Sequence, residues 1–310
     1  MIASNSIRWL LNDCCLYRTS SSGKLKLNIT ELVGNLAYHA MMLEAHLTPK
    51  AGLVDCASSG AHRDMDIGTF IASSDALRPY MKKFVSVGME FHHSSPTDLL
   101  LPLREVGIQA EHAMFTATNN VNTHKGMIFT LGLICGAVGW LHQRNVPSNA
   151  SQVREVIRSC CATIVRDDLE KQTGNLRTAG ERIFHDYGFT GIRGEAALGY
   201  PTIFDCALPV YEEHINKAYS EEQALSKTLL SLMANNNDTN LINRGGIEGL
   251  NFVKKEAQKL LDSFACSEFN YDVSISNFDQ QLIAKNLSPG GSADLLAATW
   301  LLAQLNICSN

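Results

Sequence analysis

The stretch Val121-Asn122-Thr123-His124-Lys125-Gly126, with the run at 127–141 that follows it, decides how the chain is read. The run carries no charge and falls short of the ~20 residues that a membrane span needs, so it predicts a helix buried inside a protein. The hexad sets an amide, an imidazole and an ammonium at the start of that helix. A first helical turn has unpaired N–H groups and the positive end of the macrodipole, so Thr123, His124 and Lys125 would aim donors where a phosphate could sit. A plainer reading has Asn122 or Thr123 capping a core helix, with Lys125 in water.

Outward from the hexad the pattern is helical. Thr30 is a candidate N-cap, after which Leu32, Leu36, Tyr38, Ala40, Leu43 and Leu47 recur at intervals near three and four until Pro49. Similar periodicity predicts helices over 67–90, 102–118, 151–171, 178–187, 195–217, 220–234, 246–263, 272–286 and 292–305. Residues 1–23 read as a short helix and a loop. Period-two alternation is nearly absent, so the fold class is all-α: a single-domain multi-helix bundle at 29–310, preceded by an extension at 1–28.

With 310 residues, 45% of them hydrophobic and 18% charged, the chain has an ordinary globular composition. Its net charge of -5 offers no basic field for nucleic acid, so an anionic ligand must be gripped locally. Nine cysteines, an odd number without CxxC spacing, make neither a disulfide framework nor a zinc module. Reduced thiols, no secretory signal and no membrane span point to a cytoplasmic protein.

The loops concentrate the chemistry. Thr48 to Asp55 sets Lys50 beside Gly52 and Asp55, and Ser59 to Asp66 adds Asp64 and Asp66. Those two carboxylates suit Mg²⁺, which takes one or two carboxylates plus phosphate oxygens; equally, either caps the helix expected from residue 67. Three glycines surround Arg193 before Glu195. A guanidinium there would fork onto a phosphate, while Glu195 is also placed as a helix-dipole residue. Asp238 and Asn240 precede Arg244, and Gly290 and Gly291 offer an anion nest before Ser292 and Asp294, with Ser288 or Ser292 as caps. Helical bundles commonly build sites where such segments converge, and the expectation is one shared polar centre.

Taken in order, TPKAGLVD, SGAHRDMD, VNTHKG, GFTGIRGEA, DTN with RGG, and NLSPGGSADLLA resemble the triphosphoribosyl-dephospho-CoA synthase family over about 31–302. The chain departs from that pattern at Ala51, where members usually have Pro, and at Asn119 and Asn120, where they have Gly. Asn tolerates a left-handed backbone better than most residues.

The resemblance implies an all-α enzyme that joins ATP to 3'-dephospho-CoA and releases adenine, making the prosthetic-group precursor of an acyl carrier protein; the net charge and the length of the apolar run add the expectation of no nucleic acid or membrane partner. The chemistry then asks for a neutralised triphosphate, a stabilised oxocarbenium ion and a proton moved from hydroxyl to adenine. Lys50, Lys125, Arg193 and Arg244 are the candidates for the triphosphate, with His124 beside them, Asn122, Asn240, Gly290, Gly291 and Ser292 as further ligands, and Mg²⁺ on Asp64 and Asp66. Glu111 and Glu195 lead the candidate carboxylates, ahead of Asp55, Asp238 and Asp294. Two other readings stay open: a Mg²⁺-dependent hydrolase of a nucleotide or ADP-ribose, and a non-catalytic nucleotide-binding protein.

Overall fold

The computed structural model describes residues 28–171, 178–264 and 270–309. Among them run twelve α-helices and no strand: α1 Ile29–His46, α2 Ile67–Glu90, α3 Leu100–Ala117, α4 Lys125–Gln143, α5 Ala150–Cys160, α6 Ala179–Tyr187, α7 Gly191–Ala197, α8 Leu208–Asn216, α9 Glu221–Asn235, α10 Thr239–Ser263, α11 Tyr271–Ala284 and α12 Gly290–Ser309. The expected all-α class holds. The short helix and loop expected over 1–23 lie outside the described residues.

Helix α4 is the axis. From Met127 to Leu141 every residue but Phe129 is buried, and α1, α2, α3 and α12 pack around it. Its approach to α2 depends on glycine. A Cβ on Gly139 would sit 2.0 Å from the Val85 carbonyl oxygen, and one on Gly88 would sit 2.0 Å from that of Gly136. Two backbones therefore meet directly, a packing gain that offsets the ~1 kcal/mol by which each glycine weakens a helix relative to Ala. At 19 residues, α4 is the one helix among those described that is long and apolar enough to cross a membrane; 78% of its most apolar window is buried inside the bundle.

Several boundaries differ from the sequence expectation, each for a local reason. Asn28, not Thr30, caps α1, accepting the N–H groups of Thr30 and Glu31. The helix expected over 151–171 ends at Cys160 and resumes only as a wide turn at Arg166–Glu170. The one expected over 195–217 is broken where Gly199 and Tyr200 take positive φ (72° and 54°), which separates α7 from α8. The range of α10 holds two segments, because the backbone leaves the helical region at Gly246 (φ 64°, ψ -167°): the helix expected over 246–263 is the second, and a short one from Thr239 precedes it. Asn119 and Asn120 both adopt the left-handed region (φ 52° and 66°), the conformation that would otherwise select Gly.

Candidate active site

A cavity of about 530 Å³ opens where the loops meet. Five helices begin on its wall. Lys125, Gly126 and Met127 come from α4, Ala179 and Gly180 from α6, Gly191 to Arg193 from α7, Thr239 and Asn240 from α10, and Gly290, Gly291 and Asp294 from α12. Each start brings N–H groups that have no partner within their own helix and a partial positive charge, and α4 and α12 are the longest unbroken helices among the five. The loop at 48–66 adds His62 and Asp64, and α1 adds Glu44.

The cations on this wall are anchored. Arg244 donates to the Ala61 carbonyl (2.9 Å) and to Asn286 Oδ1 (3.0 Å), and its Nη2 lies 3.1 Å from His62 Nδ1. His62 Nε2 in turn meets Ser288 Oγ at 2.8 Å. Burial, then the Arg244 charge, pulls the His62 pKa down to about 4, so the ring is a neutral spacer tying two loops together. Arg193 donates to Asp168 Oδ2 (3.3 Å), and Lys125 pairs with Glu111 (2.8 Å) at the half-exposed rim.

Carboxylates stand opposite. Asp294 is held well above the usual carboxylate range by burial and by the neighbouring charges of Glu44 and Asp238, against a donated Met127 N–H. Burial also raises Asp238 and Glu195, and in both cases hydrogen bonds oppose the rise. Asp238 caps α10 and accepts the Ser292 N–H (2.9 Å) and hydroxyl (3.2 Å) on one oxygen and the Asn240 N–H (2.9 Å) on the other. Glu195 accepts the Thr202 hydroxyl (2.7 Å) and N–H (3.2 Å).

Of the residues singled out from sequence, Lys125, Asn122, Glu195, Arg193, Asn240, Arg244, Gly290, Gly291, Asp64, Asp238 and Asp294 reach this one cavity. Six do not. Lys50 is buried and bound to Glu44, so its ammonium balances a carboxylate instead of facing a phosphate. His124 is fully buried, with Nδ1 2.6 Å from Ser73 Oγ, and burial followed by the Lys50 charge lowers its pKa to about 3. A neutral ring behind the wall cannot neutralise an anion. Asp55 folds its own turn by accepting the N–H groups of Lys50, Ala57 and Ser58. Asp66 caps α2 in a reciprocal box with Thr69. Ser292 is closed in on Asp238, and Glu111 stands outside the lining behind Lys125.

The Mg²⁺ pair expected at Asp64 and Asp66 is therefore split, since only Asp64 faces the cavity. Among the described residues no group of three or more His, Cys, Asp or Glu is arranged to hold a metal. The side chains present do not fit a resident ion at that pair.

Glu44 is the residue that sequence reasoning passed over. It lies in α1 on the line Val33, Ala37, Ala40 and Met41, all buried. A carboxylate on the apolar stripe of an amphipathic helix is the signal that was present. Asn236, also on the wall and buried, carried no comparable mark.

Helix starts, anchored guanidinium groups and shifted carboxylates around one cavity define an enzyme site for a phosphorylated substrate. The chain belongs to the ATP:dephospho-CoA triphosphoribosyl transferase (CitG) family, whose model matches residues 30–310. It is 54% identical over 288 residues to a probable 2-(5''-triphosphoribosyl)-3'-dephosphocoenzyme-A synthase of Vibrio cholerae serotype O1 (strain M66-2), covering 93% of this chain and 92% of that one. A counterpart of the same name in Photobacterium profundum is 47% identical over 98% of this chain and 97% of its own. The 2-(5''-triphosphoribosyl)-3'-dephosphocoenzyme-A synthase of Pectobacterium atrosepticum is 46% identical over 85% of this chain and 86% of its own. No solved structure matches the chain.

Proposed function

We propose that the chain joins the triphosphoribosyl group of ATP to 3'-dephospho-CoA, releasing adenine, and so makes the precursor of an acyl-carrier-protein prosthetic group in the cytoplasm. The observation that carries this is the convergence of five helix starts with Arg193, Arg244 and Lys125 on a cavity that also holds carboxylates. The reaction leaves the triphosphate intact while breaking the ribose C1–N9 bond. It therefore needs a fixed electropositive cradle for one end of ATP and carboxylates near the other.

In this reading the α4 and α12 starts and the two guanidinium groups grip the triphosphate, while Gly290 and Gly291 let backbone N–H groups approach it. Asn122 and Asn240 offer amides to the nucleotide, and Mg²⁺ enters with ATP as part of the substrate. Carboxylates facing the sugar stabilise the cationic transition state. Chromatographic detection of adenine tests the reading: release is expected with MgATP plus dephospho-CoA and not with MgATP alone. Release that ignores the acceptor would overturn it.

A further inference from the structure

We propose that two carboxyl groups on the cavity wall divide the proton transfer of this reaction, Asp294 protonating the departing adenine and Glu44 accepting the proton of the incoming ribose hydroxyl. The assignment rests on the reaction proposed above.

Geometry selects the pair by elimination among the carboxyl groups withdrawn from water, Asp64 being set aside because its side chain is 64% exposed. Asp238 has both oxygens engaged by Ser292 and Asn240. Glu195 has both on Thr202. Glu111 is bound to Lys125 outside the lining. Glu44 differs from all three. It is buried, Lys50 Nζ binds its Oε1 together with its own carbonyl oxygen, and its Oε2 is buried with no hydrogen-bond partner. A buried carboxylate oxygen left free on a cavity wall calls for a donor that arrives with the ligand. The Lys50 ammonium occupies Oε1, and the second oxygen stays without a partner.

Asp294 is in the opposite condition. Glu44 from α1 and Asp238 at the α10 cap act on it as like charges, Tyr200 lies within electrostatic reach, and among the described residues no cation forms a salt bridge with it. These like charges and its burial push the Asp294 carboxyl toward its protonated form, whereas Glu44 has the Lys50 ammonium against its Oε1. Neighbouring carboxyl groups in opposite surroundings, one among like charges and one against a cation, are the arrangement that separates an acid from a base. Gly126 makes the space: a Cβ there would lie 2.1 Å from Asp294 Oδ2.

The step balances. As C1–N9 breaks, its electron pair stays on adenine, which takes the Asp294 proton. The acceptor oxygen bonds to C1 and gives its proton to Glu44, and return of that proton to Asp294 restores both groups.

The test compares Asp294→Asn and Glu44→Gln in the full chain, using ATP and 7-methyladenosine triphosphate, whose cationic base leaves without a proton. General acid–base steps are worth about 10²–10⁴-fold. Asp294→Asn is expected to lose that much kcat on ATP and to come within about tenfold of the unmodified chain on the methylated nucleotide. Glu44→Gln is expected to fail on both. Equal loss for Asp294→Asn on the two nucleotides would overturn its role. If the unmodified chain does not use the methylated nucleotide, the residual kcat of Asp294→Asn on ATP decides: loss of the alkaline limb of its pH profile supports the role, and an unchanged limb overturns it. Should Glu44→Gln not fold, Glu44→Gln with Lys50→Met removes both buried charges, and turnover near that of the unmodified chain in that variant would overturn the base. Absence of adenine release by the unmodified chain would instead count against the reaction itself.

Discussion

Lys50 and Glu44 form an ion pair that is almost wholly buried, behind a cavity on which Glu44 alone of the two has a surface. Two charges removed from water hold each other in place, and removing one leaves the other uncompensated. Lys50→Ala is expected to cost roughly 3–5 kcal/mol of stability, read by urea denaturation. A variant that keeps full stability and only binds ATP more weakly would return Lys50 to the list of phosphate ligands.

Lys125 behaves differently, because its ammonium is half exposed and pairs at the rim with Glu111. A surface pair of this kind is worth about 0–1 kcal/mol, so Lys125→Ala should fold normally. Adenine release in the presence of dephospho-CoA should nevertheless fall at least about 100-fold, the scale on which a misplaced triphosphate displaces the ribose C1 that it carries. Retained turnover in the folded variant would remove Lys125 from the mechanism.

Gly126→Ala separates helix stability from chemistry. Alanine is the better helix former by about 1 kcal/mol, yet its Cβ would occupy the place of Asp294 Oδ2. The expected result is a folded protein with kcat lowered about tenfold or more and ATP affinity little changed. Unaltered kcat would show that the position of Asp294 does not matter.

At the helix crossing the obstacle is backbone, which cannot rotate away. Gly139→Ala sets a methyl group against the Val85 carbonyl and should lower stability by about 1–3 kcal/mol, seen as a lower Tm. An unchanged Tm would mean that α2 and α4 can separate freely.

His39 lies away from the cavity lining, its Nε2 buried without a partner, and burial pulls its pKa from 6.5 to about 4. The unfolded chain binds that proton first as pH falls. The stabilising contribution is thus complete above pH 6.5 and is lost on descent toward pH 4. Between pH 7 and 5 the unmodified chain should lose about 1–2 kcal/mol more stability than His39→Gln, at about 1.36 kcal/mol per pH unit. Parallel pH profiles would contradict this.

Much of the molecule was legible in the sequence because apolar periodicity and loop chemistry are local. The run after Lys125 fixed α4 as a core helix, and the Gly-rich segments around Arg193 and before Asp294 do reach one cavity. What sequence could not supply was direction. Lys50 and His124 stand in segments as polar as those of Arg193 and Arg244, yet their side chains turn into the core. Capping consumed Asp66 as readily as ligand binding would have, since an N-cap and a metal ligand share one chemistry. Glu44 was obscured for the opposite reason: it sits alone in an apolar helix, and its partner Lys50 becomes visible only when the loop folds back.

Mass spectrometry of the products from MgATP and 3'-dephospho-CoA, incubated with the full chain, tests the central claim most directly. The account predicts free adenine together with a species whose mass is that of dephospho-CoA plus the triphosphoribosyl group. Free ribose triphosphate with unchanged dephospho-CoA, or two untouched substrates, would contradict it.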